Sequence, residues 1–175
     1  MSSITPHSAS VTPNPYHVPV LLNESLEALA IQPEGVYVDA TFGGGGHSRG
    51  ILQHLGPTGK LFVFDQDADA AANLPADSRI VFFPYNFRHL QRMLRLHQVT
   101  QIDGILADLG VSSHQFDEGE RGFSIRMDGP LDMRMDRRQP LTAADIVKTY
   151  DEQQLHRMFE QYCEVSNSKT LARLI

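Results

Sequence analysis

The chain has 175 residues, 41% of them hydrophobic, which is enough for one domain with a real core, or for one domain and part of a second. No apolar run approaches the ~20 residues of a membrane span, the N-terminus lacks a signal-peptide layout, and the single cysteine, Cys163, excludes an internal disulfide, which together point to the cytoplasm. A formal net charge of −6 lacks the basic excess with which nucleic-acid binders meet phosphates, so composition alone favours a small-molecule substrate.

In chain order, residues 1–15 are rich in Ser, Thr and Pro without apolar periodicity and read as a disordered leader. His17 to Leu22 lead into a helix that Asn23 can cap, with Leu26, Leu29 and Ala30 on one face, and Pro33 and Gly35 end it. Next comes Val36-Tyr37-Val38-Asp39-Ala40-Thr41-Phe42-Gly43-Gly44-Gly45-Gly46-His47: an apolar strand, a carboxylate, then four glycines opening a helix. Glycines let a backbone turn sharply and lie against a ligand. An acid at Asp39 argues against a phosphate there and for a cationic ligand such as S-adenosylmethionine. A nicotinamide dinucleotide is disfavoured, because G-x-G-x-x-G puts Ser48 or Arg49 in the third glycine position. Gly59-Lys60 lacks the rest of a phosphate-binding P-loop.

Ile51, Leu52 and Leu55 give the next helix an apolar side, and Gly56-Pro57-Thr58-Gly59 turns the chain into a second strand, Lys60-Leu61-Phe62-Val63-Phe64. A short Ala-rich helix closed by Pro75 precedes a third strand, Ile80-Val81-Phe82-Phe83. Leu90, Met93, Leu94 and His97 share one face of a further helix, and a fourth strand over 102–106 ends at Asp108-Leu109-Gly110. Strand and helix alternate four times, and each strand is an apolar run, as in a parallel sheet buried on both faces. Ligands of such sheets sit beyond the C-terminal strand ends, where Asp39 to Gly46, Asp65, Asn86-Phe87 and Asp108 fall. Residues 111–140 show no periodicity, and their composition leaves disorder open. Thr142 with Asp145, and Asp151 with Gln154, read as capping boxes of two helices. Leu155, Met158, Phe159 and Tyr162 recur at helical spacing as core contacts, and a last helix starts near Ser168.

Asp65 stands where nucleoside-binding sheets place an acid for a ribose diol, while Asp67 reads as a helix cap. Phe87 can pack on an adenine face or in the core. Asp108 can hold the methionine end of the cofactor, accept a proton from an amine being methylated, or merely close a turn. His47 can bond the ligand or only cap the loop. The basic clusters at Arg88 to Arg95 and Arg134 to Arg138 read as solvated surface, and no His, Cys or acid spacing suggests a metal.

Four stretches stand out: His17-x-Pro19-Val20-Leu21-Leu22-x-Glu24, Asp39-x-Thr41-Phe42-Gly43-x-Gly45-Gly46-His47-Ser48, Asp103-Gly104-Ile105-Leu106-x-Asp108-Leu109-Gly110-Val111-Ser112-Ser113, and Arg121-Gly122-Phe123-Ser124 with the 128–136 segment. Together they closely resemble the MraW/RsmH family. The family consists of bacterial methyltransferases that modify the N4 amino group of a cytosine in 16S ribosomal RNA, in the decoding region of the small subunit. The resemblance implies that Gly45, Gly46 and His47 contact S-adenosylmethionine, that Asp65 binds its ribose, and that Phe87, Asp108 and Gln115 complete the pocket. Asp39 joins the cofactor-binding set, Asp108 is also the catalytic candidate, and the charged loop over 121–136 takes an ordered place near the active site.

The expected fold is therefore α/β, a Rossmann-like class I methyltransferase sheet in strand order 3-2-1-4. Its expected organisation is a leader over 1–15, the cofactor-binding domain over 16–140, and the start of a helical insertion over 141–175. Family chains are much longer, which implies a fragment or truncated product here, with the fourth strand as an exposed apolar edge. Two other functions are to be set against rRNA methylation: a non-catalytic cofactor-binding remnant, and methylation of another amine, in a small molecule or DNA.

Overall fold

The structure is a computed structural model that describes residues 19–175; the leader, His17 and Val18 lie outside them. Helix α1 (Leu22–Leu29) precedes β1 (Val36–Asp39), and α2 (Gly46–His54) precedes β2 (Lys60–Phe64). A 3-10 turn (Ala68–Asn73) leads to β3 (Ile80–Phe83), a second (Phe87–His89) runs into α3 (Leu90–Leu96), and β4 (Gly104–Leu106) follows. Beyond it lie α4 (Ser113–Asp117), a third 3-10 turn (Gly119–Arg121), α5 (Ala143–Thr149), α6 (Glu152–Tyr162) and α7 (Ser168–Leu174). No helix among the described residues is long and apolar enough to cross a membrane.

The strands pair in parallel in the order β3-β2-β1-β4, the Rossmann-like order expected from the sequence. Asp39 lies opposite Val63 on one side and Leu106 on the other, and Phe64 lies opposite Phe83, so the C-terminal strand ends share one rim. Because successive side chains point to opposite faces, one strand feeds two cores. Tyr37, Leu61 and Val63 pack with Ile51, Leu52 and Leu55 of α2 and its C-terminal end on one face. Val38, Phe62, Phe64 and Phe83 pack with Leu94 of α3 on the other. Each such side chain, fully buried, contributes about 1.5–3 kcal/mol. This double burial is why β1 and β2 read as apolar runs.

The chain divides into two compact units. The first holds the described residues up to Asp65 together with Ala70–Ala107, and the second holds Gln66–Asp69 with Asp108–Ile175. The division falls after Ala107, so residues 141–175 share a unit with the loop before them.

In the first unit, three local details differ from expectation. Helix α1 begins two residues early, because Leu21 in a left-handed conformation (φ 55°) is its N-cap, and Asn23 therefore lies inside the helix. The Ala-rich segment is a 3-10 turn, with Leu74 N–H bonded to the Ala71 carbonyl at 3.3 Å. Strand β4 starts at Gly104, since at Asp103 the carboxylate takes the Val36 N–H (2.7 Å) that a strand carbonyl would take.

In the second unit, residues 111–140 have a defined course built on one guanidinium. Arg121 is 2% exposed; its Nη1 lies 2.7 Å from Asp67 Oδ2 and 3.2 Å from Asp69 Oδ2, and its Nη2 donates to the carbonyls of Arg134 and Met135. Gly122 follows in the left-handed region (φ 73°), and a Cβ there would meet the Pro130 carbonyl. The basic cluster at 134–138 is largely paired, since Arg134 binds Asp132 and Arg138 binds Asp136. Both expected capping boxes are present, Thr142 with Asp145 on α5 and Asp151 with Gln154 on α6. Leu155 is buried, but Tyr162 is 80% exposed. The chain leaves α6 there through Glu164 (φ 51°), and Val165 N–H turns back to the Phe159 carbonyl, which bends the chain away beyond Tyr162.

Candidate functional site

Strand β1 ends in Asp39, which is fully buried. Its Oδ1 accepts the Thr41 N–H (3.0 Å) and its Oδ2 accepts the Ser48 hydroxyl (2.6 Å). Burial pushes its pKa up, and the bonds from Ser48 and Thr41 oppose that shift. Asp39 thus ties the strand end to the first turn of α2, with the glycine loop arched between. Within the arch, Phe42 N–H reaches the Phe64 carbonyl (2.9 Å) and Gly45 N–H closes a turn on the Phe42 carbonyl (2.7 Å). Gly45 has φ 73°, and a Cβ on it would stand 2.8 Å from the Phe42 ring. Only glycine fits both conditions.

His47, in the first turn of α2, is 7% exposed, and among the described residues its Nε2 has no hydrogen-bond partner. Asp65 leaves β2 and accepts the Gly43 N–H on Oδ2 (2.7 Å). The Gly43 carbonyl accepts from Asn73 Nδ2 (3.0 Å), and the Gly44 carbonyl accepts from Arg49 Nη1 (2.6 Å). Arg49 Nη2 also donates to the Asn73 carbonyl (3.4 Å). Phe87, 41% exposed, stands just past the end of β3 on the same rim, so it is not a core residue.

Of the expected site residues, Asp39, Gly45, Gly46, His47 and Asp65 come together about one loop in the first unit, with Phe87 on its rim. Asp108 and Gln115 belong to the second unit. Asp108 is exposed, and Gln115 is 5% exposed on α4. The Gln115 carboxamide is held at both ends: Oε1 accepts the Ser112 N–H (3.1 Å), completing a capping box, and Nε2 donates to Asp67 Oδ2 (2.9 Å). Asp67 also opens the first 3-10 turn by accepting the Asp69 N–H at 3.2 Å, so it caps as expected while pairing with Arg121. Sequence reasoning missed Arg49, Asn73 and Ser48. Ser48 carried a faint signal as a hydroxyl in the first turn after a strand-end acid; the other two carried none. Among the described residues, no group of three or more His, Cys, Asp or Glu could hold a metal ion.

A model of the MraW methylase family matches residues 14–175. The chain is 58% identical to ribosomal RNA small subunit methyltransferase H of Phocaeicola vulgatus over 160 residues, 91% of this chain and 53% of that protein. It is also 58% identical to the protein of that name from Bacteroides thetaiotaomicron, and 56% identical to that from Flavobacterium johnsoniae, with the same coverage. The chain spans about half the length of these relatives.

Proposed function

The chain belongs to the MraW methylase family, and from that premise we propose that it is the cofactor-binding part of an S-adenosylmethionine-dependent methyltransferase acting in the cytoplasm on 16S ribosomal RNA of the small subunit. The target is the N4 amino group of a cytosine in the decoding region. Residues 141–175 would begin a helical insertion. The observation that carries the reading is His47. A buried polar atom without a partner costs about 1–3 kcal/mol, a cost offset when a ligand supplies the partner. His47 Nε2 is such an atom, directly after four glycines and in the first turn of a helix.

The residues present suit this cofactor. Asp65 places a carboxylate against the loop, which disfavours a phosphate and favours the cationic sulfonium and amino groups. At Gly43 the nearest atom to the place a Cβ would take is the Thr41 carbonyl oxygen at 4.0 Å, leaving room on the loop. When bound, S-adenosylmethionine supplies an electrophilic methyl group. Gly45, Gly46 and His47 hold it, Asp65 accepts from its ribose, Phe87 packs on its adenine, and the family resemblance adds Asp108 and Gln115. Asp39 holds Thr41 and Ser48 in place beneath the loop.

Cytosine N4 is a poor nucleophile because its lone pair is delocalised into the ring, so orienting the amino group matters more than raising its basicity. Asp108, or a nearby backbone carbonyl, would accept a hydrogen bond from one amino hydrogen and so aim N4, and the proton that N4 loses on gaining the methyl group would pass to the Asp108 carboxylate or to water, during or after transfer. The base has to be unstacked to be reached. A second reading, methylation of a small molecule or DNA amine, is favoured by the net charge of −6.

The test has two arms. Titrating S-adenosylhomocysteine into the chain should give binding that His47→Ala weakens at least tenfold; equal affinity would remove His47 from the site. In the full-length protein, Asp108→Asn should keep cofactor binding and lower transfer to small subunits more than tenfold. A loss of tenfold or less would end the role given to Asp108, and 16S RNA that stays fully methylated in a deletion strain would favour the second reading.

A further inference from the structure

We propose that Arg49 and Asn73 are positioning residues for cofactor binding: they fix the carbonyls of the glycine loop so that it is already shaped when the cofactor arrives. The inference rests on the reading that this loop binds S-adenosylmethionine.

Three successive peptide planes of the loop are each held by a different side chain. The plane between Phe42 and Gly43 is held at its N–H by Asp65 Oδ2, 2.7 Å away. The plane between Gly43 and Gly44 is held at its carbonyl by Asn73 Nδ2 at 3.0 Å. The plane between Gly44 and Gly45 is held at its carbonyl by Arg49 Nη1 at 2.6 Å and at its N–H by the Phe42 carbonyl at 2.7 Å. Arg49 and Asn73 also bond each other, through Nη2 and the Asn73 carbonyl. Gly43 is therefore gripped on both sides, by the acid that would bind the ribose and by the residue that ends the following 3-10 turn.

Four glycines without such ties would carry more backbone freedom than any other four residues, and binding would have to remove it. Restraint in the free protein removes that cost from the binding step. The bond to Gly44 joins a full charge to a carbonyl and is short, as is the bond from Gly43 N–H to the Asp65 carboxylate, so both are of the stronger, charge-assisted kind. A peptide plane that turned over would present an oxygen where the loop presents an N–H, and both Arg49 and Asn73 oppose that rotation.

The experiment measures S-adenosylhomocysteine affinity by calorimetry, and amide hydrogen exchange with and without ligand, for the chain and its Arg49→Ala, Arg49→Lys and Asn73→Ala variants. Each alanine variant should raise Kd about tenfold. Exchange at Gly43 to Gly46 should quicken while β1 and β2 stay as protected as in the parent, and saturating ligand should restore loop protection. Arg49→Lys keeps a donor toward the Gly44 carbonyl and should stay within about threefold of the parent. Affinities within twofold of the parent in both alanine variants would overturn the proposal. So would faster exchange in the strands together with the loop, which would mark a general loss of stability. If the parent chain binds no S-adenosylhomocysteine, the cofactor reading itself falls and takes this one with it; binding by the parent with unchanged variants defeats only the inference.

Discussion

Arg121 offers five N–H donors from a nearly dry position, and it spends four of its contacts on two acids and two carbonyls. Its Nε is buried without a partner among the described residues. Arginine is almost never so buried unless paired, and removing one member of a buried pair typically costs about 3–5 kcal/mol because the other charge is left uncompensated. Arg121→Met should therefore loosen the second unit by about that amount, with Asp67, 7% exposed, losing its countercharge while keeping its bonds from Gln115 and the Asp69 N–H. Exchange of the amides at Gly122, Met133 and Ala143, which are bonded to Gly119, Arg121 and Asp132, checks this. If those amides exchange as slowly as in the parent, Arg121 is not the keystone of the loop. The family resemblance gave the loop an ordered place but not these partners, since Arg121 meets Asp69 across 52 residues and Asn73 meets Gly43 across 30. Pairing at such range leaves no periodicity or spacing to read. Thr142 with Asp145 was legible because a capping box is a contact between residues three apart.

At the level of elements, one turn recurs at Asp77–Arg79, Asp132–Arg134 and Asp136–Arg138. In each, the arginine N–H bonds Oδ1 of the acid two residues earlier, and the guanidinium folds back onto the same carboxylate. The basic residues at 134 and 138 therefore hold the loop. Arg134 holds Asp132 at about 2, Arg138 lowers Asp136, and the Thr142 hydroxyl lowers Asp145. A carboxyl whose folded pKa lies below its unfolded one contributes stability above the unfolded value, about 4, and loses it as pH falls through the folded value. Asp39 runs the other way: burial raises its pKa, so acid favours its folded environment. Asp77, also held at about 2 by Arg79, lies in the first unit, whereas Asp132, Asp136 and Asp145 lie in the second. Pepsin digestion between about pH 4 and pH 2 should then cut within residues 130–145 before it cuts β1 or β2. First cuts in the strands would contradict the assignment.

For the whole molecule, the sheet was legible because a buried parallel sheet writes itself as apolar runs separated by helices, and the strand order came from the family resemblance. The bounds of the short elements were not. Asp103 delayed the start of β4 through its side chain, and Leu21 started α1 through an unusual backbone angle, both of which depend on local geometry that residue type does not dictate. The glycine loop was legible as a ligand loop, but its restraints arrive from 3-10 turn and helix residues that look like ordinary surface. The central position of β1 sets a clock on synthesis. Val36 meets β2 at Lys60, but its other neighbour, Asp103, comes 67 residues later. At roughly 5–20 residues per second on the ribosome, the strand that ends in Asp39 stands as an open edge for about 3–13 seconds before its second partner has been made. Those seconds, rather than the finished fold, are when this chain most needs a chaperone's shelter.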